Sequence, residues 1–226
     1  RPFSCMMVPL NYLGMIARRC AVLEEVRMKK LFLIGGMGAG KSTARKALTD
    51  EGLAWIDLDQ VGHEVLMWDT VKDDLRGAFG DDIFDENGEV VRSALAAKAF
   101  ATPAATRKLN TITMPRIEER YTDLIDGFEA EGKPAVVVEY SVFRNRQQSL
   151  AYGADVVMAV LAPLEVRIER AVKSGFSEED VRARIARQIT DADRIEASDV
   201  VFNNDGTPDE LRNEVISWWN EYKKTI

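Results

Sequence analysis

Lys29-Lys30-Leu31-Phe32-Leu33-Ile34 runs directly into Gly35-Gly36-Met37-Gly38-Ala39-Gly40-Lys41-Ser42-Thr43. A short apolar run that ends in glycines predicts a buried strand and a tight turn. Residues 35–42 satisfy G-x-x-x-x-G-K-[ST] in full, and Ser42 to Glu51, with Ala44, Ala47 and Leu48 on one side, predicts the helix that follows. In this strand–loop–helix setting the glycines let backbone N–H groups approach phosphate oxygens with no Cβ in the way. The helix N-terminus adds its partial positive charge. The pattern therefore makes Gly35, Gly36, Met37, Gly38, Ala39, Gly40, Lys41, Ser42 and Thr43 the candidate ATP-binding residues. Lys41 is expected to reach the β- and γ-phosphates, and the Ser42 hydroxyl to bind Mg²⁺.

Working outward, Leu53 to Leu58 reads as a second strand, and three valine-rich runs follow: Ala135–Val138, Asp155–Leu161 and Asp199–Phe202. Short, unalternating apolar runs suit strands covered on both faces. Helical patterns lie between and after them, over 104–130, 164–173, 178–195 and 209–222. Strands separated by helices predict right-handed crossovers and a five-stranded parallel α/β sheet flanked by helices. The long interval between the second and third strands exceeds one crossover helix, so a helical insertion is expected over about 60–131, with a loop at Gly80–Gly88.

The chain has 226 residues, 46% hydrophobic and 30% charged, which suits one large domain with a sizeable core. Thirty basic against 37 acidic residues give a net charge of -7, which argues against non-specific nucleic-acid binding. The cysteines, Cys5 and Cys20, support no disulfide framework, so a reducing cytoplasmic setting is the default. No run has the roughly 18 apolar residues of a membrane span. Residues 1–27 read as an extension outside the fold, with Met28 a plausible start and the P-loop domain over 28–226.

Carboxylates at strand ends carry the next expectations. In Ile56-Asp57-Leu58-Asp59 the period of two puts both acids on one side of the expected strand. Ligands of such sheets sit beyond the carboxyl ends of strands. Asp59, further out, is the candidate general base, with Asp57 supporting it. Glu139, closing the third strand, is the candidate second Mg²⁺ residue beside Ser42. Arg167, Arg170, Arg182, Arg184, Arg187 and Arg194 crowd together late in the chain. Arg184, Arg187, Asp191 and Arg194 are expected on one helical face, as an arginine-bearing lid over about 164–195 that closes on a transferring phosphoryl group. Asn203-Asn204-Asp205-Gly206 is a turn that can also reach the nucleotide. His63 is a weak signal.

Together these stretches resemble the dephospho-CoA kinase family from about Lys29 onward. The resemblance rests on GGMGAGKST (35–43), IDLDQVGHEVL (56–66), IFDENGEVVRSAL (83–95), LNTITMPRI (109–117), GFSEEDVRARIARQ (175–188) and SDVVFNNDG (198–206). It implies a P-loop kinase with a helical substrate domain and a lid. It also implies ATP and dephospho-CoA as substrates, Mg²⁺ as cofactor, Asp59 as base, Arg184 as phosphate-binding lid arginine, and Arg92 on the acceptor side, where Asp57 and His63 are further candidates. A monomer or weak homo-oligomer, with no nucleic acid or membrane partner, goes with it. The chain departs from the family pattern at Ile34, at Met114 and at Glu139-Tyr140-Ser141-Val142-Phe143. Two other readings stay open at this point: a related P-loop kinase with another hydroxyl acceptor, and a nucleotide-binding regulatory protein without transfer activity.

Overall fold

The computed structural model describes residues 27–226. The expected N-terminal extension therefore lies outside the described residues except for Arg27. That residue donates to Asp155 at 2.9 Å, and Met28 beside it is buried.

Five parallel strands form one sheet: β1 (Lys29–Gly35), β2 (Ala54–Asp57), β3 (Ala135–Glu139), β4 (Val156–Leu161) and β5 (Val200–Asn203), in the order β2-β3-β1-β4-β5. The strand that leads into the phosphate loop is thus central, with Phe32 opposite Val138 on one side and Leu33 opposite Met158 on the other. Parallel strands need crossovers, and these cover both faces of the sheet. On one face Leu31, Leu33, Val137 and Met158 pack against α1 (Lys41–Asp50) and against Leu211, Val215 and Trp219 of the C-terminal helix Pro208–Tyr222. On the other, Phe32, Ile34, Val136 and Val138 pack against α2 (Leu58–Val65) and against Ile117, Tyr121 and Leu124 of a later long helix. Burial of these side chains, each worth roughly 1.5–3 kcal/mol, is what holds the layers together.

Between β2 and β3 stand α2, α3 (Asp69–Phe79), α4 (Arg92–Ala99) and the long α5 (Pro103–Ala130). They share a cluster of their own, Val65, Val71, Leu75, Ile83, Leu95 and Ala99. After β4 come α6 (Leu164–Lys173), α7 (Glu178–Ile185) and α8 (Asp191–Ala197), and the Pro208–Tyr222 helix is α9.

Two sequence expectations are corrected. β2 stops at Asp57, and Leu58 already begins α2, because the Asp57 carboxylate accepts the N–H groups of Asp59 and Gln60 and so caps the helix. The two acids therefore do not alternate along a strand. The helix expected over 178–195 is broken after Ile185. Thr190 and Asp193 form a reciprocal capping box that starts α8 afresh. Arg184, Arg187, Asp191 and Arg194 consequently do not share one helical face.

Candidate active site

The phosphate loop is shaped by glycine where geometry leaves no alternative. Gly38 (φ 75°) and Gly40 (φ 106°) occupy the left-handed region. A Cβ on Gly38 would lie 2.2 Å from the Arg167 carbonyl oxygen, and one on Gly36 would lie 1.8 Å from the Arg167 guanidinium. No side chain caps α1 at Gly40, so the N–H groups of Lys41 and Ser42 remain available to an anion, while that of Thr43 bonds Gly40 O at 3.0 Å.

Lys41 Nζ donates to Gly35 O at 3.2 Å and lies 3.8 Å from Glu139 Oε1. An ion pair alone would raise the lysine's pKa and lower the glutamate's. The opposite holds for both. Burial depresses the Lys41 pKa despite Glu139 and Asp59, and burial raises that of Glu139 despite Lys41. Desolvation outweighs pairing at both groups. Arg45 Nε stands 3.8 Å from the other Glu139 oxygen.

Two residues brace the loop from behind. Arg167 is 4% exposed and donates from Nε to Met37 O at 3.0 Å. Asn204 is 5% exposed and donates from Nδ2 to Ala39 O at 2.7 Å, while Arg170 donates to its backbone carbonyl at 3.2 Å. The sequence placed Asn204 at the nucleotide. Its amide is instead committed to the loop backbone, although the residue also borders a cavity of about 440 Å³ with Ser42, Glu139, Arg170 and Phe176.

From the segment between α7 and α8 Gln188 Oε1 accepts the Met37 N–H at 3.1 Å, and Asp191 pairs with Arg194 at 2.6 Å and with Arg167 at 3.5 Å. The arginine cluster thus divides. Arg167 and Arg194 are buried, whereas Arg182, Arg184 and Arg187 are exposed. Sequence reasoning missed the bracing roles of Arg167 and Gln188. For Arg167 a signal existed: it stands four residues before buried Ala171, on the inward side of α6.

Lys41, Asp59, Arg184 and Arg194 line one cavity of about 540 Å³. Asp59, Tyr140 and Arg184 also line a second, of about 580 Å³, together with His63, Arg92 and Met114. Arg92 Nη1 lies 2.8 Å from His63 Nε2, at the border with a third, of about 490 Å³, walled by Leu66, Leu95, Ala96, Phe100 and Leu109. The three expected catalytic residues therefore meet in one cavity, and His63 and Arg92 stand in the next. Asp57 is engaged as a helix cap, so its Oδ1 is spent on backbone rather than on an acceptor.

A central strand, a glycine loop with its lysine, and a carboxylate at the start of α2 that shares a cavity with an arginine-bearing segment define a P-loop phosphotransferase. The profile of the family described as "Dephospho-CoA kinase" matches residues 31–210. A dephospho-CoA kinase of Corynebacterium glutamicum is 39% identical over 189 residues, 83% of this chain and 94% of that one. One of Thermobifida fusca is 33% identical, covering 88% and 98%. Among solved structures, a Thermus thermophilus protein superposes with a TM-score of 0.73 at 23% identity, covering 86% of this chain and 98% of that one. The Campylobacter jejuni dephospho-CoA kinase gives 0.59 at 20% identity, covering 86% and 97%. The chain belongs to the dephospho-CoA kinase family. It is accordingly an ATP-dependent transferase.

Proposed function

We propose that the protein transfers the γ-phosphoryl group of ATP to the 3′-hydroxyl of dephospho-CoA, giving CoA and ADP. One observation carries the reading beyond family membership: the succession of three cavities. The first joins Lys41, Asp59 and Arg184, the second adds His63 and Arg92, and the third is apolar. That order matches an acceptor made of a sugar hydroxyl, a diphosphate and a long, largely uncharged arm.

In this pose Asp59 accepts the proton of the 3′-hydroxyl as its oxygen attacks the γ-phosphorus and the bond to ADP breaks. General-base assistance of this kind is worth about 10²–10⁴ in rate. Lys41, Arg184 and Arg194 neutralise the charge on the transferring group. Arg92 meets the acceptor's diphosphate, and the lid arginines exclude water that would otherwise take the phosphoryl group. The donor set of Ser42 hydroxyl and Glu139 carboxylate is oxygen only, which fits Mg²⁺ carried in on phosphate. Those residues would hold it, and it would supply charge neutralisation on the β- and γ-oxygens. A cytoplasmic location goes with this reading. Among the described residues no helix is long and apolar enough to cross a membrane.

The test is transfer by the purified protein with ATP and Mg²⁺, offering dephospho-CoA, AMP or a mixture of nucleosides, with the product identified by mass. CoA formed preferentially from dephospho-CoA supports the reading. No transfer, or equal use of the other acceptors, refutes it.

A further inference from the structure

Tyr140 has no role in the chemistry above, yet it stands in the wall common to the first two cavities, beside Asp59. It is 5% exposed, and its position is fixed at several points. Its N–H donates to Leu33 O at 3.2 Å, extending the sheet by one residue beyond Glu139. Its ring meets Phe32 edge-on at 6.4 Å and Phe143 at 6.1 Å. Its hydroxyl oxygen accepts Gln148 Nε2 at 3.1 Å.

The orientation of Gln148 is itself determined. Its Oε1 accepts the N–H groups of Arg144 at 2.5 Å and Asn145 at 3.3 Å, so the amide nitrogen must face Tyr140 as a donor. The phenol is therefore the acceptor in that bond, and its own O–H proton is left to donate elsewhere. Among the described residues no hydrogen bond takes that proton. Buried polar groups are ordinarily satisfied, so a spare donor on a residue that walls the substrate cavity calls for an acceptor on the substrate.

We infer that Tyr140 reads the sugar of the acceptor by donating a hydrogen bond to the ribose 2′-hydroxyl while Asp59 engages the 3′-hydroxyl. This rests on the acceptor assigned under Proposed function. An ionised carboxylate only accepts, so it takes the hydroxyl that must lose its proton. A phenol donating to that same oxygen would occupy the lone pair needed for attack. The neighbouring hydroxyl is thus the productive partner. Together the two residues select a sugar with both hydroxyls.

The experiment compares dephospho-CoA with its 2′-deoxy analogue on the parent and on Tyr140→Phe, at saturating ATP. The phenylalanine keeps the packing on Phe32 and Phe143. For dephospho-CoA, kcat/KM should fall about three- to tenfold, the worth of one neutral hydrogen bond, with KM for ATP unchanged. The parent should lose a similar factor with the 2′-deoxy analogue, and Tyr140→Phe should lose little further. Gln148→Leu should reproduce part of the loss, again only with the 2′-hydroxyl present. Equal losses with both acceptors would show a merely structural role and overturn the inference, as would an undiminished Tyr140→Phe. A parent that forms no CoA at all overturns the assigned acceptor as well, which sets that failure apart from the others.

Discussion

Asp57 Oδ1 accepts the backbone N–H of Asp59 at 2.9 Å, so the first acid holds the start of the helix from which the second projects. In the proposed reaction Asp59 takes the proton and Asp57 aims it. Asp59→Asn should lower kcat by about 10²–10⁴ with ATP affinity nearly unchanged. Asp57→Asn should keep the cap, because asparagine caps as well as aspartate, and should stay within a few-fold of the parent. Asp57→Ala should cost about 1 kcal/mol of stability. Steady-state kinetics with calorimetric ATP titration and denaturant unfolding separate the two roles. A dead Asp57→Asn beside an active Asp59→Asn would reverse them.

This pair also shows where the sequence stopped being legible. The five strands, their parallel pairing and the phosphate loop were all readable, because valine runs, glycines and the lysine act locally. The order β2-β3-β1-β4-β5 was not spelled out by any residue. Whether Asp59 ended a strand or began a helix turned on which N–H groups the Asp57 side chain took. An alternation rule cannot see that. The break between α7 and α8 is similar. Arginines at helical spacing run from Arg184 to Arg194, but Thr190 with Asp193 competes for the backbone and wins locally. The inward turn of Arg167 depends on the glycines at 36 and 38, which lie far away in the chain and leave room for it.

Asn204 gives a prediction that separates bracing from nucleotide contact. Asn204→Ala leaves the Ala39 carbonyl without its partner in a buried place and removes the 3.4 Å bond from Arg170, which keeps the backbone carbonyl of residue 204. A loss of roughly 1–3 kcal/mol is expected in the ligand-free protein, with weaker ATP binding as a consequence. Denaturant unfolding without nucleotide is the deciding measurement. Weakened ATP binding at unchanged stability would return Asn204 to the nucleotide.

Asp50 ties the phosphate-loop helix to the C-terminal helix. It accepts Arg212 at 2.7 Å and Lys46 at 3.0 Å. The Arg212 bond foremost, then that of Lys46, holds its carboxyl below its ordinary pKa of 3.8. Because the folded-state value is depressed, the contribution is present above the unfolded value and is lost as pH falls through the folded one. Asp50→Asn should therefore melt lower than the parent near neutral pH, and the two curves should converge in acid below the ordinary aspartate range. Added salt should narrow the gap, since the pair is exposed. A difference independent of pH would show that shape, not charge, matters at this position.

The apolar cavity gives the sharpest check on how the acceptor lies. Phe100 is 65% exposed at the end of α4 and forms one wall, so Phe100→Ser should leave the fold intact while removing apolar surface from the arm's path. KM for dephospho-CoA should rise about three- to tenfold, as the loss of a modest apolar contact implies. Neither kcat at saturation nor KM for ATP should move. In the proposed pose Arg92 lies one step nearer the chemistry. Arg92→Ala removes a charge-assisted contact to the diphosphate and should raise KM for dephospho-CoA by roughly 10- to 100-fold. A shortened acceptor tells the two apart. Adenosine 5′-diphosphate, offered at saturating ATP so that the donor site is filled, keeps the diphosphate and lacks the arm. Its use should be insensitive to Phe100→Ser and still impaired by Arg92→Ala. If Phe100→Ser weakens both acceptors alike, the arm does not lie along Leu66, Leu95 and Leu109, and the cavity serves the packing of α4 on α5 instead.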